Sequence, residues 1–185
     1  TYQTILFIIA AYLFLMGLNL GMIRICLNMI NNKEIDFSML FSSFHILIPY
    51  VFATILYIAA LLLAAAPGLL LFVTFVSVDL DNLYSAGGSV STILITIIMV
   101  VPAIYLSVRL QFYEYFLIDE ECGIIESIKK SADISKGYAL ELFILGAILS
   151  IIVLISIIPM GLGLIFSIPL STVSISYVYL KLKNN

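Results

Sequence analysis

Residues 4–29 of the chain read TILFIIAAYLFLMGLNLGMIRICLNM, an apolar stretch whose only charge is Arg24. About 20 such residues cross the ~30 Å hydrocarbon core of a bilayer as a helix. Leu, Ile, Phe and Val each favour insertion by about 0.3–0.6 kcal/mol at the helix centre, whereas an Arg costs about 2.5–3.5 kcal/mol there. The apolar residues outweigh Arg24, which lies toward one end where its charge can reach the interface. The stretch therefore predicts a transmembrane helix.

The composition of the whole chain points the same way. Of its 185 residues, 63% are hydrophobic and 10% are charged, whereas soluble domains average roughly 45–50% and about 25%. A soluble fold of this size could not bury so much apolar surface, so we predict a single all-α membrane domain, a bundle of transmembrane helices. The net charge of -3 lacks the basic excess of nucleic-acid-binding proteins. Cys26 and Cys122 have neither the number nor the spacing of a metal site or a disulfide framework.

Further apolar stretches predict four more spans. They cover residues 46–66, 92–118, 138–158 and 164–180. Pro67 and Gly68 lie inside a longer apolar run, and proline removes a helical hydrogen bond, so we expect the second span to break or kink there. Residues 79–91 predict a loop. Further breaks or kinks are predicted at Pro102, Pro159 and Gly161.

Two segments between spans are amphipathic. In the first, an apolar helical face follows Asp36, a plausible N-cap, and consists of Phe37, Leu40, Phe41 and Phe44. In the second, residues 119–136, acids precede lysines as the helix dipole favours, with an apolar stripe at Ile124, Ile125, Ile128 and Ala132. Gly137 predicts its end. Both segments predict cytoplasmic helices that lie on the membrane surface.

The lysines predict the orientation. They lie in three segments, which follow the first, third and fifth spans: Lys33, Lys129, Lys130, Lys136, Lys181 and Lys183. The positive-inside rule assigns these segments, and the C-terminus, to the cytoplasm. Five spans then place residue 1 outside, which predicts a further span before it. The order of span, amphipathic segment and span occurs twice, at 4–66 and 92–158, and predicts a weak parallel repeat, as transporters or simple duplications contain.

A family resemblance begins at Pro102, from which the chain reads PAIYLSVRLQFYEYFLIDEECGIIESIKKSADISKG; it closes with PMGLGLIFSIPLSTVSISYVYLKL. This resembles the YciC-like and related families of uncharacterised bacterial multi-pass membrane proteins. The matching residues are Pro102, Tyr105, Arg109, Asp119, Glu120, Glu126, Ser127, Lys129, Ser131, Lys136, Gly137, Gly161, Gly163, Pro169, Tyr177 and Tyr179. Ala103 stands where these families have glycine. The resemblance implies a helical protein of the bacterial cytoplasmic (inner) membrane and implies no particular activity.

Bases near the span ends are the candidate contacts for anionic lipid head groups or for partner proteins. They are Arg24, Arg109, Lys129, Lys130 and Lys136. For Arg109 the alternative is a structural role, as an anchor or in an ion pair with Glu114 or with an acid of the second amphipathic segment. The same structural alternative applies to Arg24. For the lysines the alternative is a solvated helix face.

Small and polar residues inside the spans offer a second candidate site. Ser167, Ser171 and Ser174 share one face of the last span and predict either a polar path or hydrogen bonds between helices. Gly17 and Gly21, four residues apart, predict a close helix approach. His45, the only histidine, has no Cys, Asp or Glu at ligand spacing, and the sequence contains no P-loop, HExxH or GxSxG motif. We therefore predict no enzyme, metal site or cofactor.

Two functions fit these observations. The first is a non-enzymatic membrane module, either an accessory subunit of a membrane complex or a lipid-interacting envelope protein. Its partners would be membrane lipids and other membrane subunits, not nucleic acid. The alternative is a small transporter or channel that uses the broken helices and the serine face, and it requires a continuous hydrated path past Ser171.

Overall fold

The computed structural model describes residues 2–78, 86–158 and 161–184, with side chains at all of these except 75–78 and 86–89. The long helices are α1 (Tyr2–Ile30), α3 (Leu47–Val78), α4 (Ala86–Leu110), α7 (Ala139–Ile157) and α8 (Leu164–Lys183). Shorter ones are α2 (Met39–Ser42), α5 (Tyr113–Asp119) and α6 (Ile124–Ile134), with a 3-10 turn at Ser43–Ile46. No strand occurs in the described ranges, so the predicted all-α fold is confirmed.

Within the described ranges, five helical segments are long and apolar enough to cross a membrane. They are Tyr2–Ile30, Met39–Thr74, Val90–Asp119, Ala139–Ile157 and Leu164–Lys183. Each carries long runs of exposed apolar side chains, which is the surface that lipid covers in a membrane protein. These segments are those of a multi-pass membrane protein, as the composition predicted.

A break at Pro67-Gly68 is wrong, because α3 continues through both residues to Val78. The alternative of a kink there stays a prediction. A proline costs one backbone hydrogen bond, which a long helix packed against another tolerates. Gly68 has a packing role instead: a Cβ atom there would overlap the backbone of Met99 on α4. The small residue therefore lets α3 and α4 approach closely, and these two share the most extensive contact among the described helices.

The other predicted breaks have different outcomes. Pro102 lies inside α4, which is continuous around it. Pro159 lies outside the described residues, as do residues 79–85 of the predicted loop, whereas residues 86–91 of that loop belong to α4. Gly161 has a φ of +81° in the turn before α8, and Gly137 has a φ of +89° between α6 and α7. L side chains rarely adopt this left-handed conformation, so glycine suits both turns.

The third predicted span, 92–118, is divided. Helix α4 ends at Leu110, a turn follows at 111–112, and the separate helix α5 begins at Tyr113. Ser131 of α6 supplies hydrogen bonds at this interruption. Its Oγ atom accepts from the backbone N–H of Phe112 at 3.0 Å and donates to the carbonyl oxygen of Arg109 at 3.1 Å. The break is therefore stabilised by a side chain from a different helix.

The first amphipathic segment is shorter than predicted. Helix α2 begins at Met39 with Ser38, not Asp36, as its N-cap residue, and the following 3-10 turn leads directly into α3. Phe37 is exposed, whereas Leu40 and Phe44 lie over the glycines of α1: a Cβ atom at Gly21 would overlap the backbone of Leu40, and one at Gly17 the ring of Phe44. The close approach predicted at these glycines is confirmed. That this segment and α6 lie on a membrane surface stays a prediction.

The hydrophobic core is concentrated at one end of the bundle, around α5. Most of this short helix is buried, and the core cluster also draws on Leu20 and Leu27 near the end of α1, Tyr50 near the start of α3, and Tyr179 near the end of α8. Acids and bases surround the cluster, and we call them the charged end: Arg24, His45, Asp119, Glu120, Glu121, Glu126, Lys130 and Lys183.

Candidate functional site

Three consecutive acids, Asp119, Glu120 and Glu121, organise the charged end. Asp119 closes α5, so all three side chains follow a buried helix and reach the helices around it. The Nζ atom of Lys183 on α8 lies 2.6 Å from Asp119 Oδ2 and 2.7 Å from Glu120 Oε1. Tyr179 Oη donates to Asp119 Oδ2 at 3.1 Å. These contacts attach the end of α8 to the end of α5.

Lys130 of α6 joins the same network. Its Nζ atom lies 2.7 Å from Glu120 Oε2 and 2.6 Å from Glu126 Oε1, the i,i+4 partner on its own helix. Hydrogen bonds from Lys130 and Lys183 lower the pKa of Glu120. Hydrogen bonds to Glu120 and Glu126 raise the pKa of Lys130. Each group therefore holds its partner in the charged form.

Glu121 connects the first two long helices to this network. Its Oε1 atom lies 3.3 Å from Arg24 Nη2 on α1 and 3.6 Å from His45 Nε2 before α3. The residue has a φ of +48°, which is unusual for a side chain larger than glycine. Arg24, predicted as a lipid or partner contact, thus has a carboxylate partner within the chain.

Arg109 does not pair with Glu114 in the structure. Its Nη1 atom donates to Tyr105 Oη at 3.3 Å, and its Nη2 atom donates to the backbone carbonyl of Ala132. Ala132 lies in the last turn of α6, where a positive charge is favoured by the helix dipole. The predicted alternative of an ion pair with Glu114 is therefore wrong, and Arg109 instead connects α4 to the end of α6. Its enclosed Nε–H has no acceptor among the described residues.

The other two predicted bases are free of carboxylates. Lys129 and Lys136 are exposed and form no ion pair with any residue that the structure describes. Ala132 comes three residues after Lys129 in α6, so the helical repeat brings Lys129 to the side of α6 that Arg109 contacts. Lys136 lies in the turn that follows the end of α6 at Ile134. Two of the five predicted bases, Arg24 and Lys130, thus have carboxylate partners. The other three have none among the described residues: Arg109, Lys129 and Lys136.

The buried face of α6 contains serines as well as members of the apolar stripe that the sequence predicted. Ser127, Ser131 and the following Ser135 are fully buried, whereas Ile125 of the predicted apolar stripe is 62% exposed. Ser127 donates to the carbonyl of Ile124 in its own helix, and Ser135 to that of Ser131. Small hydroxyl side chains let α6 pack close to its neighbours without leaving unsatisfied donors.

The serine face of α8 has no continuous polar lining among the described residues. Ser171 donates to the carbonyl of Ser167 and Ser174 to that of Leu170, both within α8. Ser167 is buried. Ser171 borders a groove of about 480 Å³ between α7 and α8 whose other lining residues are mostly apolar, such as Leu149, Val153 and Ile175.

Sequence reasoning missed a polar cluster around α5. Glu114 accepts from Tyr50 Oη at 3.3 Å, and the Tyr113 hydroxyl lies 3.0 Å from Thr54 Oγ1. The aromatic run QFYEYF, residues 111–116, carried the signal, since an acid between aromatics suggests burial rather than a helix end.

Both cysteines are free, and burial raises the pKa of the Cys122 thiol. Over the described residues, no three His, Cys, Asp or Glu side chains are grouped so that they could hold a metal ion.

Comparison with known proteins places the chain in a family. No curated protein and no solved structure matches it significantly. A family model does match, over residues 1–185, and it is described as "Protein of unknown function (DUF975)". The expected membership of an uncharacterised family is thus confirmed, while the narrower YciC-like relationship stays a prediction. The chain belongs to the protein family of unknown function DUF975.

Proposed function

We propose that this chain is a non-enzymatic membrane module that binds anionic lipid head groups through Arg109, Lys129 and Lys136. The observation that carries the proposal is that these three bases adjoin α6 without an ion pair to any described residue, whereas Arg24 and Lys130 have carboxylate partners. The module would lie in a bacterial cytoplasmic membrane with its charged end toward the cytoplasm, because the lysine-bearing segments share that side.

The chemistry of α6 supports a lipid partner. Unpaired bases near a membrane surface attract anionic head groups by about 1 kcal/mol each. Ile125, four residues before Lys129, is exposed on the same side and would enter the apolar part of the interface. The nearby acids Asp133 and Glu141 form no ion pair with these bases, so the bases keep their charge available.

The same surface could serve an accessory subunit, since a lipid-bound module in a complex needs no catalytic group. The transporter alternative gains no support from the described residues. Its predicted hydroxyls at Ser171 and Ser174 bond to their own helix, and the groove beside Ser171 is mostly apolar.

Native mass spectrometry of the full chain, extracted in nanodiscs of phosphatidylglycerol and phosphatidylcholine, tests the proposal. The variant is Lys129→Gln/Lys136→Gln. The control is Lys33→Gln/Lys181→Gln, which removes the same charge from two other exposed lysines. We expect the first pair to lower retained phosphatidylglycerol several-fold and the control pair to lower it much less.

Equal retention in the two variants would contradict a head-group site beside α6. A second polypeptide that stays bound at fixed stoichiometry would identify the accessory-subunit form of the module. Retained phosphatidylglycerol without a second polypeptide would identify the lipid-interacting form.

A further inference from the structure

A groove on the outside of the bundle ends beside Arg109. It lies between α4 and α7, has a volume of about 410 Å³, and is lined by Val101, Ile104, Tyr105, Val108, Ala139, Leu140 and Phe143. From Val101 to Val108 the groove follows α4 for about 10 Å, at 1.5 Å per residue. This length accommodates the part of one acyl chain that lies nearest the head group.

Two positively charged side chains, Arg109 and Lys136, lie near one end of this groove. Tyr105 lines the groove, and its hydroxyl accepts a hydrogen bond from Arg109 at 3.3 Å. Arg109 has five N–H donors; two bond within the described chain and the Nε–H is enclosed, which leaves two donors on the terminal nitrogens. Lys136 lies three residues before Ala139, the first groove residue of α7. An apolar groove therefore meets a guanidinium with spare donors and an exposed lysine.

The neighbouring grooves lack this combination. The groove between α3 and the start of α6 carries an acid, Glu126, among its lining residues. The groove between α1 and α3 has no charged lining residue; its polar members are Tyr12 and Thr54. Among these three, the groove between α4 and α7 is the one that has no acid in its lining and has a base, Arg109, hydrogen-bonded to a lining residue, Tyr105.

We propose that the groove between α4 and α7 binds one anionic phospholipid of the phosphatidylglycerol type. Its phosphate accepts hydrogen bonds from Arg109 and attracts Lys136, and one acyl chain lies along Tyr105, Ile104 and Phe143. This inference rests on the proposed lipid-binding function and adds the position of the acyl chain and the residue that selects the head group.

The absence of tryptophan from the sequence provides a direct test. A Phe143→Trp variant places the only indole in this groove, and a Tyr12→Trp variant places it in the groove between α1 and α3. Each variant of the full chain is reconstituted with phosphatidylglycerol or phosphatidylcholine brominated on the acyl chain, and the quenching of tryptophan fluorescence is measured.

We expect the Phe143→Trp variant to bind brominated phosphatidylglycerol about fivefold more strongly than brominated phosphatidylcholine, which corresponds to about 1 kcal/mol. The Tyr12→Trp variant should show no such preference. Adding Arg109→Gln to Phe143→Trp should abolish the preference, whereas Arg109→Lys should keep part of it. If Arg109→Gln fails to fold, Tyr105→Phe, which removes only the hydroxyl, should still weaken the preference.

Equal quenching by the two lipids in the Phe143→Trp variant would overturn the inference. If the lysine variants lose phosphatidylglycerol while the Phe143→Trp variant shows no preference, head groups bind along α6 but no chain occupies the groove. If the preference at this groove persists while the lysine variants retain lipid normally, the groove site is supported and the wider lysine surface is not.

Discussion

Glu121 Oε1 lies 3.3 Å from Nη2 of Arg24, across 97 positions of the chain. The contact joins the end of α1 to the segment that follows α5, so the charged end is connected by side chains that are distant in sequence. Glu121 also has a φ of +48°, in the left-handed region. The ion pair stabilises the folded chain, whereas the left-handed backbone conformation destabilises it. Two substitutions at Glu121 distinguish these two contributions to the free energy of unfolding.

We expect Glu121→Gln to lower the free energy of unfolding by about 0.5–1 kcal/mol, because the pair is partly exposed. Glu121→Gly removes the same pair but relieves a left-handed conformation that costs about 1–2 kcal/mol in other residues. The glycine variant should therefore be at least as stable as the glutamine variant, as measured by SDS-induced unfolding in mixed micelles. A glycine variant less stable than the glutamine variant would contradict the expected gain from relieving the left-handed conformation, because glycine's extra entropy in the unfolded chain would then outweigh it.

Acid should weaken the network around Glu120. Its folded pKa is lowered by Lys130 and Lys183, so it contributes stability above its ordinary pKa of 4.5 that is lost as the pH falls through the lower, folded value. Thermal unfolding in detergent between pH 7 and pH 3 should show this loss, and Glu120→Gln should flatten the part of the curve below pH 4.5. An unchanged curve in Glu120→Gln would assign the acid sensitivity to other carboxyls.

Ser131→Ala should destabilise the chain by about 1–3 kcal/mol, because it leaves the buried N–H of Phe112 without an acceptor. Ser127→Ala is the matched control: Ser127 is equally buried in the same helix, but its hydroxyl bonds only to its own helix. We expect the control to change stability by less than about 0.5 kcal/mol. Chemical unfolding of both variants in the same detergent decides between a specific contact and general packing of α6.

Gly68→Ala should destabilise by about 1–3 kcal/mol, because the added methyl group meets the backbone of Met99, which cannot move aside as a side-chain tip could. Gly146→Ala is the control, since a Cβ atom there meets nothing within 4 Å. Alanine favours a helix by up to about 1 kcal/mol over glycine, so the control should be neutral or stabilising. Similar losses in both variants would contradict the close approach of α3 and α4.

The sequence predicted the features that depend on bulk hydrophobicity. The apolar run of residues 4–29 and the other long apolar runs identify transmembrane helices. Each apolar side chain lowers the free energy of membrane insertion nearly independently of its neighbours. Gly137 was recognisable as a turn residue after α6, which ends at Ile134, because its left-handed φ is a local property.

Features that depend on tertiary partners could not be predicted. A proline such as Pro67 normally indicates a helix break, but α3 continues through it. The close packing of Gly68 against Met99 depends on α4, so the local sequence could not predict it. The sequence pattern predicts Ser131 as a polar position of an amphipathic helix. In the structure it is buried against the interruption at 111–112, between α4 and α5, which is distant in sequence. Arg24 and Arg109 occupy similar places in the two predicted repeats, yet one pairs with a carboxylate and the other with a backbone carbonyl.

The concentration of the core around α5 has a consequence for the rest of the bundle. At the opposite end, side chains such as Ile9 of α1, Leu70 of α3 and Leu154 of α7 are more than half exposed. Their lateral neighbours in a bilayer are acyl chains, so the tilt and separation of these half-helices follow the hydrophobic thickness of the membrane. Short-chain and long-chain lipids should therefore spread or gather the far end of the bundle while the end around Tyr179 keeps its arrangement.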